Sequence, residues 1–262
     1  GVVSTSAQQA TPVGYYGMMQ TDGNRIVGSK TGEPMQVKGA SFFWSNWSGQ
    51  FWTEAVVDDM VDNWNVELLR AAWGVRDNGT PYSTDHSQLY TVVDRCIERG
   101  IYVVIDWHTH GLDLNVQAAK DFWNKVFDER PEYINNDAVI FELFNEPRFE
   151  SEGGPDWATC KSVQEEVLSV IRGREADNHV IIGTPNFSQD VDVASEDPID
   201  DPNVSYALHF YVPNHCAPIW NKIPTAMNNG VPLFATEWGF WDLASWSQCG
   251  SDDKAGFARE WM

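Results

Sequence analysis

The sequence is poor in basic residues and has no long apolar run. Lysine and arginine together number 17, against 38 aspartates and glutamates, which gives a formal net charge of −21. No apolar stretch approaches the roughly 20 residues that a membrane-spanning helix needs. An acidic surface repels nucleic acids and anionic membranes. We therefore expect neither as a partner, and the charge fits a secreted, extracellular protein with a neutral substrate.

Cysteine is also scarce, with four residues and no two of them in a CxxC pair. This spacing argues against a zinc ribbon. Cys96 falls in an amphipathic helical stretch and is predicted to be a buried free thiol. Cys216 and Cys249 each follow a predicted strand, and both strands would end on the same face. A disulfide between these two cysteines is therefore predicted.

The start of the sequence shows no signal peptide. Residues 1–14 are mostly small and polar, and we interpret them as a polar stub or linker remnant. The remaining residues, 15–262, are interpreted as one domain. Near its beginning the turn signal Asp22-Gly23 separates two short apolar pieces, which predicts a small N-terminal β-hairpin.

From residue 36 onward, short apolar runs typical of strands alternate with longer amphipathic stretches typical of helices. Several runs are apolar throughout, as expected for parallel strands covered on both faces. The alternation indicates an α/β protein with a parallel sheet. The predicted strands are 37–42, 66–72, 101–106, 138–144, 180–183, 205–209 and 233–237. The predicted helices are 53–64, 87–99, 115–129, 156–172 and one that starts at 252.

Two α/β architectures compete. A doubly wound sheet usually carries a glycine-rich phosphate loop after its first strand. Here bulky aromatic residues follow that strand, from Phe42 to Trp47, which favours a (β/α)8 TIM barrel. Seven strands are found rather than eight, and an open barrel would expose two strand edges. Either the eighth β/α unit is missing from these residues, or an oligomeric or other partner covers the gap.

Polar residues collect where the predicted strands end, and barrel enzymes place their active sites at that rim. Such residues follow five of the seven strands. They are Arg70, Asp106, His108, His110, Asn145, Glu146, His209, Tyr211, Glu237 and Trp238.

Two glutamates in this set suit glycoside hydrolysis, which needs one carboxyl group to protonate the leaving oxygen and a second to attack the anomeric carbon. The first needs a raised pKa and the second must stay ionised. Arg70 on a neighbouring strand would hold Glu237 charged, and Tyr211 would donate a hydrogen bond to it. Asn145, just before Glu146, would bond the sugar 2-hydroxyl.

The chain resembles glycoside hydrolase family 5, and within it the bacterial endoglucanase (cellulase A) group. The resemblance runs in order from about residue 20 to about residue 245. The stretches that carry it are Lys38-Gly39-Ala40-Ser41, Leu69-Arg70-Ala71-Ala72, Ile105-Asp106-Trp107-His108, Phe144-Asn145-Glu146-Pro147, Ser188-Gln189-Asp190-Val191, Ala207-Leu208-His209-Phe210-Tyr211 and Thr236-Glu237-Trp238-Gly239.

The resemblance implies a (β/α)8 catalytic domain that hydrolyses β-1,4-glucan with retention of configuration and uses no metal or other cofactor. It implies Glu146 as the acid/base and Glu237 as the nucleophile. Around the cleaved sugar it implies a set of supporting residues. They are Arg70, His108, Asn145, His209 and Tyr211.

Two departures from the family pattern keep alternatives open. Phe43 stands where many members have a histidine, so a sugar contact there becomes apolar. The family's eighth strand and its tryptophan platform are not found, and the domain looks truncated near its seventh helix. A related β-glycanase acting on mannan, xyloglucan or mixed-linkage glucan is one alternative. A form that binds glucan with little or no turnover is another.

Tryptophan is abundant, with 13 residues, and its rings stack on pyranose faces or fill cores. Trp47 and Trp238 are predicted to be sugar-binding platforms. Other tryptophans fall near predicted rim loops, and three fall in helices where packing is expected. The rim group is Trp44, Trp73, Trp107 and Trp241, and the helix group is Trp64, Trp123 and Trp261.

Overall fold

The computed structural model describes residues 10–111, 114–148, 150–212, 215 and 217–240. A short helix, α1 (Pro12–Tyr16), begins within the segment predicted to be a polar stub. It leads into the predicted hairpin, whose strands β1 (Met19–Asp22) and β2 (Arg25–Gly28) pair antiparallel. Gly23 at the turn has a φ of +59°, a conformation that glycine adopts without steric cost.

Seven parallel strands follow, and each pairs with the next along the chain. All seven predicted strands are confirmed, with ends that move by at most three residues. The sheet curls into a nearly closed barrel in which β3 and β9 are the edge strands. Within the described ranges no further strand pairs with those edges. The strands are β3 (Gly39–Ser41), β4 (Leu68–Gly74), β5 (Tyr102–His108), β6 (Val139–Glu142), β7 (Val180–Ile182), β8 (Val204–Val212) and β9 (Leu233–Phe240).

The predicted helices between residues 53 and 172 are confirmed as well. Three of them start one residue later than predicted, because Thr53, Asn115 and Asp156 act as N-caps whose side chains accept a hydrogen bond from a backbone amide three residues on. The helix predicted from residue 252 lies outside the described residues. The helices after α1 are α2 (Ser45–Ser48), α3 (Glu54–Trp64), α4 (Ser87–Arg99), α5 (Val116–Glu129), α6 (Trp157–Arg172), α7 (Val191–Glu196), α8 (Ala217–Trp220) and α9 (Lys222–Asn228), with single 3-10 turns at Gly49–Phe51, Pro131–Tyr133 and Glu150–Glu152.

The barrel interior changes from apolar to charged along the strands. Successive side chains of a strand point to opposite faces, so alternate residues share the interior. Leu68 is therefore followed inside by Arg70, and Ile140 by Glu142. The apolar layer at the lower end is closed by Met19 from the hairpin. A larger apolar core lies outside the strands, between the sheet and the helices.

Among the described helices none combines the length and the apolar composition that crossing a bilayer requires. Cys96 is a buried free thiol, as predicted, and Cys160 is another. Cys216 and Cys249, for which a disulfide was predicted, both lie outside the described residues.

Gly183 marks a close approach between β7 and the segment that follows β6. A Cβ atom there would lie 2.2 Å from the carbonyl oxygen of Phe144, and backbone cannot move aside as a side-chain end can. Gln164 of α6 holds both backbone groups of the same glycine. The Gly183 N–H donates to Oε1 of Gln164, and Nε2 of Gln164 donates to the Gly183 carbonyl, both at 2.8 Å. This contact fixes the distance between β7 and the segment containing Asn145.

We expect Gly183→Ala to lower the free energy of unfolding by about 1–3 kcal/mol, as overpacking does. The sign is diagnostic, because alanine at a compatible glycine position stabilises by roughly 0.4–1 kcal/mol. Gly49→Ala is the control, since Gly49 is helical and its added methyl would meet only the movable end of Gln88. Urea unfolding measures both variants, and a stabilised Gly183→Ala would contradict the close approach.

Candidate active site

Arg70 lies at the centre of the polar rim and is 1% exposed. Its guanidinium donates to both carboxylate oxygens of Glu142, at 2.6 and 3.1 Å. It also donates to the amide oxygen of Asn145 at 2.7 Å and to Glu237 at 3.2 Å, and it lies 2.9 Å from a carboxylate oxygen of Asp106. One cation therefore joins side chains from β4, β5, β6 and β9.

Burial and charge oppose each other in this cluster. Burial lowers the pKa of Arg70, but the charges of Asp106 and Glu142 outweigh it and raise the pKa overall, so the guanidinium stays charged. Burial raises the pKa of Asp106 to about 7 despite Arg70. Burial likewise raises the pKa of Glu142, against the same cation. The arginine is thus what allows these buried carboxylates to ionise.

Glu146 follows β6 and lies between two histidines. The ring nitrogen Nδ1 of His209 lies 2.8 Å from Oε1, and Nε2 of His110 lies 3.2 Å from Oε2. Burial alone raises the pKa of Glu146, but the hydrogen bonds from His110 and His209 outweigh it and hold the pKa below its usual range. The sequence predicted a raised pKa for this group. The structure gives a lowered one, because two imidazoles stabilise the carboxylate.

Glu237 extends from β9 toward the same space. Arg70 and the Tyr211 hydroxyl both donate to its carboxylate, as predicted. Burial raises the pKa of Glu237, while the charges of His209 and Arg70 lower it, and the net direction is downward. Burial and the adjacent Glu237 carboxylate raise the pKa of Tyr211, so its hydroxyl keeps the proton it donates. Glu237 is therefore held ionised, as a nucleophile requires.

The two glutamates face each other across one gap. A carboxylate oxygen of Glu146, a ring nitrogen of His209 and a carboxylate oxygen of Glu237 all lie within 4.8 Å of one another. Retaining glycosidases place their two carboxyl groups about 5–5.5 Å apart, whereas inverting enzymes need roughly 6.5–9.5 Å to admit a water molecule. The spacing suits attack on an anomeric carbon by one carboxylate and protonation by the other.

These three groups are also the set in the described residues that comes closest to a cation site. Both ring nitrogens of His209 are already engaged, one by Glu146 and the other by the Thr236 hydroxyl at 2.8 Å. The guanidinium of Arg70 already balances Glu237. The donor set therefore fits a hydrogen-bonded catalytic pair better than a metal centre.

His108 lies one layer away from the two glutamates. Its Nδ1 lies 2.5 Å from Asp106, and its ring meets the ring of Trp44 edge-on, with centroids 4.3 Å apart. Burial and the charge of Arg70 lower the pKa of His108 to about 3, so the imidazole is neutral. Asp106 fixes its orientation, which leaves Nε2 as the atom available to a ligand.

Backbone contacts hold the Asn145–Glu146 segment against the loop after β5. The Asn145 amide donates to the carbonyl of Trp107 at 3.2 Å, and the Glu146 amide donates to that of Thr109 at 3.1 Å. From the other side, the buried Ser188 hydroxyl donates to the carbonyl of Asn145 at 2.6 Å. The position of the acid is thus set by the ends of β5 and β7 together.

The tryptophans divide differently from the prediction. Trp47, one predicted platform, is 58% exposed at the rim. Trp238, the other, is 45% exposed, but it follows the inward-facing Glu237 on β9, so its ring lies on the outer face of the strand and stacks on Phe210, with centroids 6.1 Å apart. Trp73 and Trp107, expected near rim loops, are instead buried in β4 and β5, because their positions face the helices outside the barrel. Trp64 was expected to pack but is largely exposed, as it is the last residue of α3.

The aromatic residues after β3 form one group. Trp44 is buried and its ring lies 5.0 Å from that of Trp47. Phe43 is exposed with its ring 5.7 Å from Trp47, which makes this part of the rim apolar, as predicted. Trp123 packs in the core, as predicted, while Trp241 and Trp261 lie outside the described residues.

The structure brings seven predicted site residues into one hydrogen-bonded network, and Trp47 lies at its rim. Glu142 was missed, although it is the only charged residue in the apolar run 138–144 and that signal could have identified it. Thr236, which joins Glu142 to His209, was also missed. The seven are Arg70, His108, Asn145, Glu146, His209, Tyr211 and Glu237.

Comparison with known proteins agrees with this geometry. The family model for cellulase, glycosyl hydrolase family 5, matches residues 29–258. Endoglucanase Z of Dickeya dadantii is 38% identical over 229 residues, which are 84% of this chain and 51% of that protein. An endoglucanase of Clostridium saccharobutylicum is 31% identical over 247 residues, 92% of this chain and 53% of that protein. The chain thus spans about half the length of these curated relatives.

Solved structures give the same result for the fold. Cellulase Cel5C_n superposes with a TM-score of 0.83 at 31% identity, covering 97% of this chain and 80% of that one. The catalytic domain of Thermobifida fusca endoglucanase Cel5A superposes with a TM-score of 0.76 at 28% identity, covering 87% and 76%. A substituted form of that enzyme has been solved with cellotetraose. These likenesses support the predicted TIM-barrel class.

We expect Arg70→Met to lower the free energy of unfolding by about 3–5 kcal/mol, because it leaves buried carboxylates without their cation. The loss should be larger at about pH 8 than at about pH 5, since the folded variant then holds protons on Asp106 and Glu142 that the unfolded chain releases.

Arg95→Met is the matched control, because Arg95 also pairs with two carboxylates, Asp58 and Glu98, but near the surface. We expect it to cost about 1 kcal/mol or less at either pH. Urea unfolding at both pH values measures the two variants. Equal losses for Arg70→Met at both pH values would contradict the role given to the arginine.

Proposed function

The chain belongs to the cellulase family, glycosyl hydrolase family 5, and from that premise we propose that it is a retaining endo-β-1,4-glucanase acting on cellulose-type chains. The observation that carries the proposal is the placement of Glu146 and Glu237. They face each other across one gap, one between two histidines and the other beside an arginine and a tyrosine. This asymmetry gives the two carboxyl groups different tasks.

In the first step the protonated Glu146 donates to the glycosidic oxygen as the bond from that oxygen to the anomeric carbon breaks. The carboxylate of Glu237 attacks the same carbon and forms a glycosyl ester. Arg70 and Tyr211 stabilise the attacking carboxylate and keep it oriented. The leaving chain departs with the proton from Glu146.

In the second step Glu146, now ionised, takes a proton from a water molecule. The resulting hydroxide attacks the anomeric carbon, the ester bond to Glu237 breaks, and the carboxylate is restored. Two displacements give the product the configuration of the substrate. Glu146 ends the cycle protonated, so no net proton is consumed.

The surrounding residues suit a sugar bound in the gap. The side-chain nitrogen of Asn145 donates to the Thr109 carbonyl, and its side-chain oxygen accepts from Arg70. Both ends of the amide are therefore held in place, ready for a hydroxyl group. His108 uses Nδ1 to bond Asp106, so Nε2 is available to a second hydroxyl group. The exposed ring of Trp47 offers a flat apolar face at the rim, suited to a pyranose ring.

A β-1,4-glucan is the substrate best supported, because several curated relatives are named endoglucanases. Mannan, xyloglucan and mixed-linkage glucan remain alternatives, since the same catalytic pair serves them all. We also propose that the protein acts outside the cell, where a polysaccharide too large to enter the cell is met. Its strongly acidic composition suits that setting.

A glucan-binding protein with little or no turnover is the second candidate. The observation that favours it is the position of Glu237 on β9, an edge strand of the described sheet. A nucleophile on an edge strand has neighbours on one side only, so its position is less constrained. Measuring cello-oligosaccharide binding and sugar release on the same protein separates the two candidates.

We expect the protein to release reducing sugar from carboxymethylcellulose faster than from mannan. Glu146→Gln should lower kcat by about 10²–10⁴-fold, the usual contribution of a general acid, with little change in binding. Glu166→Gln is the control, since Glu166 is an exposed carboxylate on α6. Binding of cello-oligosaccharide without any turnover by the unsubstituted protein would favour the second candidate.

The nucleophile is tested by Glu237→Ala on 2,4-dinitrophenyl β-cellobioside. We expect turnover to be lost and azide to restore part of it, because azide fits the space left by the carboxylate and attacks from the same face. The product should be the α-glycosyl azide, from a single displacement. Glu146→Ala with azide should instead give the β-azide, and proton NMR distinguishes the two. No rescue, together with inverted hydrolysis products, would refute the role of Glu237.

A further inference from the structure

His110 contacts the acid/base from the solvent side. Its Nε2 lies 3.2 Å from Oε2 of Glu146, and its side chain is 36% exposed. The other carboxylate oxygen faces His209, whose side chain is 1% exposed. Glu146 is therefore held between an inner imidazole and an outer one. The two displacement steps assign no role to His110.

The ring of His110 is held in one orientation. The ring of Trp44 meets it edge-on on one side, with centroids 4.9 Å apart and planes at 77°. The ring of Phe187 does so from another side, at 6.2 Å and 80°. The backbone is fixed as well, because Arg148 Nε donates to the carbonyl of His110 at 2.9 Å. Two ring contacts and one backbone hydrogen bond therefore orient His110, although it lies on a loop.

An unusual turn supplies Phe187. Asn186, Phe187 and Ser188 have φ values of 62°, 60° and 54°, so three consecutive residues other than glycine are left-handed. Each such residue costs on the order of 1–3 kcal/mol and persists only where its surroundings impose it. Here the Phe187 amide donates to the carbonyl of Pro147 at 2.8 Å, which ties the turn to the segment of the acid.

On the premise of the proposed function, we propose that His110 is a positioning residue for Glu146. Its ring N–H holds Oε2 of Glu146 and thereby sets how readily that carboxyl group keeps its proton. The other titratable groups around Glu146 come from every neighbouring strand. From β8 they are His209 and Tyr211, with His215 beyond it. From β9 it is Glu237, from β4 Arg70, and from β5 Asp106 and His108.

The direction of the effect follows from the contact. A hydrogen bond to the carboxylate stabilises the ionised form of Glu146 and lowers its pKa. The alkaline limb of kcat/KM reports the loss of the proton from the general acid. Removing the donor should therefore move that limb to higher pH, by about one unit for one hydrogen bond to a charged group.

Two substitutions separate the donor from the ring. His110→Phe keeps an aromatic ring between Trp44 and Phe187 but has no N–H. His110→Gln keeps an N–H that can reach Oε2 but loses the aromatic ring. We expect the alkaline limb on cellopentaose to rise by about one unit in His110→Phe and by less than half of that in His110→Gln.

A second substrate shows whether the effect passes through Glu146. The leaving group of 2,4-dinitrophenyl β-cellobioside departs without a proton, so its kcat/KM should stay within about twofold of the unsubstituted value in both variants. Thermal unfolding checks that each variant is folded. Should His110→Phe fail to fold, His110→Ala replaces it, with the same expected shift.

An unchanged alkaline limb in a folded variant without the donor would overturn the proposal. An equal loss of rate on both substrates would do so too, because it would indicate general disruption of the site. Failure of the unsubstituted protein to cleave cellopentaose would instead contradict the proposed function. The two failures are therefore distinguishable.

Discussion

The site depends on one buried cation. Arg70 is the group through which β4, β5, β6 and β9 meet, and it is bound on several sides by carboxylate or amide oxygens. A buried carboxylate without a partner would take up a proton or destabilise the fold. Glu237 can therefore be both enclosed and ionised because Arg70 is there. Glu142 and Asp106, which are fully buried, keep that arginine in place.

The barrel explains how a folded chain can hold so many charges inside. Alternate residues of each strand face the interior, so one register places apolar residues below and polar ones above on β4, β5, β6 and β8. Asp106 of β5 pairs with Glu142 of β6, and His209 of β8 pairs with Glu237 of β9. The register shifts between Ala207 and His209, and irregularities of this kind redirect side chains near active sites. The helices outside carry the larger apolar core that supports this arrangement.

The sequence predicted the strands, the principal helices and the approach of Glu146 to Glu237, because period and strand-end chemistry are local signals. It did not predict the partners of Arg70, since Glu142 lies inside an apolar run and its partner is 72 residues away. The burial of Trp73 and Trp107 was also missed, because a strand end and a rim loop look alike in sequence. The left-handed turn at Asn186 carries no glycine, so nothing local announces it.

The state of Glu146 shows why an acid cannot be recognised by composition alone. Burial acts on it toward a higher pKa, and the hydrogen bonds of His110 and His209 act toward a lower one. Burial and the neighbouring glutamates act on His209 in opposite directions, and its pKa is raised overall. These opposing effects act on one hydrogen-bonded pair, so burial alone does not decide the pKa of either group. A sugar that displaces water from the gap deepens the burial of Glu146 without adding to those two hydrogen bonds. Deeper burial would favour the protonated carboxyl group, and no count of acidic residues could reveal that balance.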